Sequence, residues 1–419
     1  MSDSLFAIPP DVRFSCTQCG DCCRSWNVLL GPGEAERIEG LDWAGREDAL
    51  ADVAVTAPVA AGKLTGRRLA RRPGGACVFL GADNGCLIHR HFGEQAKPLL
   101  CRMYPFAFVR TGGRVAVDCS FACRSIARGS GEPLEVRTPE WLRLLEESPA
   151  AEANAPRLDA KRALKPETLW ELEHGVAELL NVPELPFFVR LRCAMQFAEL
   201  SANGDPEAPM AGELRGALRS TLPRRMAARP AEGTMNATQR ALFLQEVYAH
   251  LNPPPEGEGP RQMREREWVA AGEAFRDGRG NPRVDGQELK VSWSDIRRVS
   301  LEAVGAAGEA VLARWLTAAV VGQRFRFAAD EELPFGEAVA RLALRYPMAL
   351  WGAKALAAER GTASVGVEDL QQAIRLIDRA AGRIPLGNLD NKQRAAVEFV
   401  LRETGAIEAA VLDVTHGRV

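Results

Sequence analysis

"FSCTQCGDCCRSW", from Phe14 to Trp26, packs four cysteines into eight residues, with Cys22 and Cys23 adjacent. Three chemistries use thiols at this density: disulfide staples, a redox pair and metal ligation. The rest of the chain narrows the choice. Nine of the ten cysteines lie between Cys16 and Cys123, and only Cys193 lies outside. One region is therefore built around sulfur. The opening "MSDSLFAIPPDVRF" lacks a basic stretch followed by an apolar core and is broken by Pro9 and Pro10, so a cytoplasmic protein is expected. In a reducing compartment, dense cysteines are more often metal-binding or catalytic than disulfide-bonded.

A chain of 419 residues exceeds a typical single core, which predicts two domains or three. The formal net charge of −2 gives no reason to expect nucleic acid or an anionic membrane as partner. Apolar stretches such as "VLARWLTAAVVGQRF" carry an arginine within the span, which argues against a membrane helix. Residues 1–130 read as irregular. "SWNVLL" suits a short strand, and "GPGEAERIEGL" a helix with Pro32 near its start and Glu34 and Glu36 in its first turn. "GACVFLGADNGCLIH" reads as two apolar runs around a turn at Asp83, Asn84 and Gly85. "FAFVRTGGRVAVDC" reads as a hairpin turning at Gly112-Gly113. So few strands are not expected to form a core of their own. A structural metal site contributes roughly 10 kcal/mol to folding, comparable to a domain's net stability.

"ARGSGEPLEVRTPE" reads as a linker. From residue 138 to 419 helical periodicity takes over. In "KPETLWELEHGVAELLN", Leu169, Leu172, Val176 and Leu179 form one apolar stripe. Helices are likewise expected in "PEWLRLLEESP", "LPFFVRLRCAMQFAELSA", "NATQRALFLQEVYAHLN", "QMREREWVAAGEAFRDG", "WSDIRRVSLEAVGAAGEAVLARWLTAAVVGQRF", "PFGEAVARLALRYPMALWGAKALAAERG", "VEDLQQAIRLIDRAAG" and "NKQRAAVEFVLRETG". The "NPPPEGEGP" break at Pro253 is a natural seam. The expected fold class is mainly α: a small irregular α+β cysteine-rich metal-binding domain, then a helical bundle.

Cys16, Cys19 and Cys22 form C-x2-C-x2-C, a spacing that lets one tight loop aim three sulfurs at a single centre. Bacterial ferredoxins use this run for iron–sulfur clusters. Here Trp26 occupies the ferredoxin position for the next cysteine, so further ligands must come from Cys77, Cys86, Cys101, Cys119 and Cys123. Adjacent side chains point apart, so Cys22 and Cys23 are candidates for two neighbouring centres. Eight cysteines make two four-thiolate sites, and nine leave one over.

"CTQCGDCC" resembles the signature of the CxxCxxCC cysteine-cluster family, the YkgJ-like zinc- or iron-chelating proteins related to flagellin lysine N-methylases. "CVFL" at Cys77, "GCLIH" at Cys86 and "CRMYPF" at Cys101 follow in the family's order, with Lys97-Pro98 where Arg-Pro is usual. The match covers roughly the first 125 residues and is stronger to the general family than to the methylase branch. The resemblance implies a metal centre bound by Cys16, Cys19, Cys22, Cys23, Cys77, Cys86, Cys101, Cys119 and Cys123. That centre is expected to be [4Fe–4S] before zinc. Through the methylase branch, the resemblance also implies S-adenosylmethionine as cofactor and a protein lysine as substrate. A zinc- or iron-binding module without catalysis, acting as scaffold or electron relay, is the alternative.

Other signals are weaker. Cys119 and Cys123 give only the first interval of the radical S-adenosylmethionine pattern. "GPGEAERI" puts Glu36 where a dinucleotide loop needs its third glycine, which makes it an ordinary turn. No Walker A or H-E-x-x-H occurs. His89 sits three residues beyond Cys86, but a surface role is expected for it and for His91. Tyr104 is expected as a packed aromatic. "GRRLARR" reads as a solvated strand or as a docking patch for an anion. Arg102 and Arg124, each next to a candidate ligand, would moderate the negative field of several thiolates. Cys193 falls on an amphipathic helix and reads as core.

Overall fold

The computed structural model describes residues 5–43, 45–47, 50, 53–61, 64–159, 161–203, 205–208, 210–252, 261–328, 331–380 and 404–419. It is mainly α, 56% helical, with a small cysteine-bearing part that holds short strands and a larger helical part. The chain forms two compact units. The first comprises Arg13–Ala107 and Cys123–Pro149; the second comprises Met1–Val12, Phe108–Ala122 and Ala150–Val419.

In the first unit, Leu29–Leu30, Leu64–Leu69 and Thr56–Ala61 form a three-stranded antiparallel sheet, with the Leu64–Leu69 strand in the middle. Arg13–Phe14 pairs with Glu132–Pro133. The 127–140 stretch, expected as a linker, thus holds a strand, then a 3-10 turn at Leu134–Arg137 and the helix Thr138–Glu147. "GPGEAERIEGL" forms the helix Glu34–Glu39, capped at Gly33. The second apolar run of "GACVFLGADNGCLIH" is a helix, Leu87–Phe92.

The expectation that this unit has no core of its own is corrected. Val28, Ile38, Trp43, Leu50, Val55, Leu69, Val78, Phe79, Leu87 and Ile88 pack into one buried cluster. A second group of rings joins Phe14, Phe106 and Trp141: Phe106 stands edge-on to both, at 5.3 Å and 5.2 Å between ring centroids. Arg137 covers Phe14 at 4.7 Å. These residues come from short pieces with no sustained period, so no periodicity exposes them in the sequence.

In the second unit, the Gly112-Gly113 hairpin joins strands Phe106–Thr111 and Arg114–Cys119, with both glycines at positive φ (54° and 80°). Phe6–Ala7 adds in parallel along the second strand and Ala151–Glu152 along the first. Trp170 closes this sheet onto the helix Pro166–Leu180, donating from Nε1 to the Thr111 carbonyl at 3.3 Å. The predicted stripe of Leu169, Leu172, Val176 and Leu179 is buried, as its spacing requires.

Helices follow at Phe187–Ala202, Ala211–Ala228, Ala237–Leu251 and Arg261–Arg276. Of these, Ala211–Ala228 contains Pro223 and was not expected from the sequence. Asn236 and Gln239 form a capping box that starts the third. The expected long helix from Trp293 is two, Trp293–Arg298 and Gly305–Val321, with Gly305 at φ 50° where the second begins. Phe335–Glu359 and Val367–Ala380 come next, and Thr404–Thr415 closes the described chain. The break at Pro253 and most of "NKQRAAVEFVLRETG" lie outside the described residues.

Among the described residues, one helical segment, Glu302–Val321, is long and apolar enough to cross a membrane. Leu312, Trp315, Leu316 and Val320 on it are buried within the unit, as in an ordinary core helix.

Candidate metal centre

The loop Cys16–Cys22 turns back because Gln18 (φ 50°) and Gly20 (φ 70°) adopt left-handed backbone. A Cβ on Gly20 would fall 2.5 Å from Arg24 Nη1, so a side chain there would have to displace that guanidinium, and the left-handed backbone itself favours glycine. Arg24 donates to the Cys19 carbonyl at 3.0 Å, fixing the middle of the loop. Gly20 opens the short helix Asp21–Ser25, which carries both Cys22 and Cys23. Their sulfurs lie 4.0 Å apart.

Three further segments bring thiols to this helix. The Cys77 amide donates to the Cys23 carbonyl at 2.8 Å. "CVFL" then bridges back to Cys86 through Leu80, around a turn in which Gly81 N–H donates to the Gly85 carbonyl at 2.8 Å. Asn84 sits at φ 64° in that turn. Cys101 lies on the helix Leu99–Met103, whose Leu99 amide donates to Glu34 Oε1 at 2.7 Å. That carboxylate satisfies a helix-start amide and locks the Glu34–Glu39 helix to the Cys101 helix. Cys77 belongs to the buried cluster, and Cys23, Cys86 and Cys101 pack against it.

The remaining thiols of the unit have a polar frame. Cys123 begins the helix Arg124–Arg128. Arg124 holds Asp21 through Nε and Nη2 at 3.1 Å and 3.3 Å, and Ser125 Oγ donates to the Ser15 carbonyl at 2.7 Å. Both ends of the Cys16–Cys22 loop are thus tied to the segment that starts at Cys123. Gly131 sits against Ser15 at φ 110°, and a Cβ there would fall 2.3 Å from the Ser15 amide nitrogen. Gly131→Ala is expected to cost about 1–3 kcal/mol through clash and backbone strain, and to weaken metal retention by displacing Cys16. Thermal unfolding with metal analysis checks it; an unchanged melting temperature and metal content would contradict the frame described.

Electrostatics record the gathering. Burial pushes the Cys77 thiol up to about 11, and the charges of Cys86 and Cys22 add to this while Arg71 opposes it. Burial, then Cys77 and Cys86, push Cys101 well above the ordinary thiol range, with Lys97 opposing. Cys123 rises to about 11 by burial, with Cys22 and Cys19 contributing. Cys22 is raised first by its hydrogen bond with Cys23, then by burial. A thiolate is costly at every one of these positions unless a cation shares the space.

None of the ten cysteines is joined in a disulfide. Among the described residues no three Cys, His, Asp or Glu side chains are closed around a point as a ready ligand set. Cys119 belongs to the second unit, where it ends a strand, buried to 3% exposure. Cys193 is buried in the Phe187–Ala202 helix, as expected of a core residue. His89 is exposed, and His91 Nε2 lies 3.4 Å from Glu47 Oε2. Tyr104 packs on Trp26 at 5.2 Å between ring centroids.

The sequence left "GRRLARR" between a solvated strand and an anion-docking patch. Two of its arginines instead brace the thiol segments: Arg71 donates to Asn27 Oδ1 at 2.9 Å, and Arg72 to the Val78 carbonyl at 2.8 Å. Arg102 is engaged by Glu147 and by Gln95 at 2.8 Å. The Arg71–Asn27 and Arg102–Glu147 bonds join chain-distant segments and leave no mark in local spacing.

No curated protein and no solved structure matches this chain. Residues 15–120 match the model of the CxxCxxCC family, described as a "Putative zinc- or iron-chelating domain", a match that takes in Cys16 through Cys119 and stops short of Cys123. The cysteine-rich segment from 15 to 120 is thus similar to the domain of the CxxCxxCC family.

Proposed function

We propose that the cysteine-bearing unit binds a thiophilic metal, zinc or iron, through thiolates. The observation that carries this is the convergence of Cys23, Cys77, Cys86 and Cys101, from four separate segments, on one apolar cluster. Thiolates are the preferred donors for zinc and for iron–sulfur clusters. A bound cation supplies the positive charge that makes several buried thiolates tolerable together. The chain's own groups prepare the place. Arg71 and Lys97 offset part of the cost at Cys77 and Cys101. Arg24, Arg72 and Glu34 hold the backbone segments in register.

The finer reading is a [4Fe–4S] cluster, favoured by the ferredoxin-like run Cys16, Cys19 and Cys22. Anaerobic purification followed by iron, acid-labile sulfide and zinc analysis tests it. Iron and sulfide in equal amounts support the cluster, and zinc without iron reduces the site to a zinc centre. A protein that retains no metal, and regains none from Zn(II) or from iron with sulfide, overturns the proposal. Methyl transfer to a protein lysine is the catalytic extension offered by the resemblance to flagellin methylases. Calorimetric titration with S-adenosylmethionine tests it, and the absence of both heat and thermal shift would remove it.

A further inference from the structure

We infer that the second unit carries a pH-sensitive ion-pair switch, in which the buried guanidinium of Arg326 passes from Glu332 to Glu173 when Glu173 loses its proton. The inference concerns the helical unit alone and does not depend on the metal-binding proposal.

The cluster is short of positive charge. Arg326 ends the 3-10 turn Arg324–Arg326, is buried, and pairs through Nη2 with Glu332 on the strand Glu331–Glu332. Its Nη1 lies 3.9 Å from Oε1 of Glu173, which is buried on the helix Pro166–Leu180. Two carboxyl groups thus flank one guanidinium. The other cation that Glu173 senses, Arg114 on the strand Arg114–Cys119, is stacked over the Trp170 ring at 4.8 Å. One cation does not balance two buried carboxylates, and a buried carboxyl left without a counter-charge keeps its proton instead.

Glu332 holds the guanidinium directly, so Glu173 is the group that stays neutral. Gln323 donates from Nε2 to Glu173 Oε2 at 3.0 Å, while Gln323 Oε1 accepts from Thr111 Oγ1 at 2.8 Å and from Arg326 Nη1 at 3.1 Å. Among the described residues, Glu173 Oε1 has no hydrogen-bond partner. Burial pushes the Glu173 carboxyl up to about 8, against the pull of Arg326, Gln323 and Arg114. Once Glu173 is ionised, its nearest cation is Arg326, and closing that gap draws the guanidinium away from Glu332. Glu332 lies on the short ladder that pairs Phe327–Ala328 with Glu331–Glu332, and beside it the Leu333 amide donates to the Arg326 carbonyl at 2.7 Å. Loss of the Arg326–Glu332 pair loosens that ladder. Between the ordinary carboxyl value of 4.5 and about 8, the native state holds a proton that the unfolded chain has released, so stability falls as pH rises across that window.

The test compares the full chain with Glu173→Gln, which keeps the side-chain shape and does not ionise, by urea unfolding over a series of pH values. From about pH 5.5 to 7 the ratio of wild-type to variant unfolding constants is expected to rise about tenfold per pH unit, the effect of one proton. The thiols titrate alike in both proteins and cancel in the ratio. Hydrogen exchange at the Leu333 amide gives the local readout. Above about pH 8 its protection in the wild type is expected to fall about tenfold below that in the variant. A ratio that stays constant across the series overturns the inference, because Glu173 then titrates alike folded and unfolded. A changing ratio with equal Leu333 protection also overturns it, because the proton then moves no ion pair. If Glu173→Gln fails to fold, Glu332→Gln takes its place. Arg326 then serves Glu173 alone, and the loss of stability with pH is expected to level off at lower pH than in the wild type; an unchanged profile overturns the inference.

Discussion

Cys77→Ser is expected to release bound metal and to lower the melting temperature of the protein, whereas Cys193→Ser is expected to do only the second. Both residues are buried cysteines, 8% and 0% exposed, and burial pushes both thiols up to about 11. By packing alone, the two substitutions should cost alike, about 1–3 kcal/mol for a buried hydroxyl in place of a thiol. They differ in company. Cys77 lies within reach of the charges of Cys86 and Cys22, and its amide is bonded to the Cys23 carbonyl. Cys193 has no thiol among the groups that shift it, only Arg192. A structural thiolate centre contributes roughly 10 kcal/mol in the smallest zinc domains. The apolar cluster around Ile38, Phe79 and Ile88 moderates the dependence here, so the unit should be weakened rather than wholly unfolded. Metal analysis and thermal unfolding with and without a chelator separate the terms. The wild type and Cys193→Ser should lose stability when chelated, and Cys77→Ser should no longer respond. If Cys77→Ser keeps its metal and its response to the chelator, Cys77 is not a ligand.

Asp378→Ala should destabilise the second unit by about 3 kcal/mol, the cost of removing one partner from a buried ion pair. Asp378 is 2% exposed and accepts from Arg324 Nη1 at 3.0 Å, and from Trp315 Nε1, Ser120 Oγ and the Ala122 amide at 3.2 Å each. Without the carboxylate, these donors lose their shared acceptor. Arg324 keeps the longer contact to Asp118, at 3.7 Å, and the bond to the backbone carbonyl of residue 378, at 2.8 Å. The same change removes a like charge from Asp118, whose carboxyl burial pushes up to about 6. Asp378→Asn retains an acceptor and should cost less. Denaturant unfolding monitored through tryptophan fluorescence reads both variants; a loss below about 1 kcal/mol for the alanine would contradict a central role for this carboxylate.

Much of the helical unit could be read in advance because its information is local. The stripe of Leu169, Leu172, Val176 and Leu179 acts within a few residues of itself. The misses were local conflicts settled by packing. What reads as one helix leaves helical geometry at Val299 and restarts at Gly305. Pro223 sits inside a helix that its sequence did not advertise. For the thiol site, the order of "CTQCGDCC", "CVFL", "GCLIH" and "CRMYPF" sufficed to mark which segments carry sulfur.

The amino-acid order alone therefore determined that the first part of this chain is thiol-rich and similar to a domain described as zinc- or iron-chelating, and that helices follow it. Only the tertiary structure decided which thiols keep company. It placed Cys119 in the second unit, assembled an apolar core from scattered short segments, and turned Arg71, Arg72 and Glu34 into braces. The reason is physical: spacing controls where side chains point over a few residues, whereas burial and hydrogen bonding between distant segments depend on the whole path of the backbone.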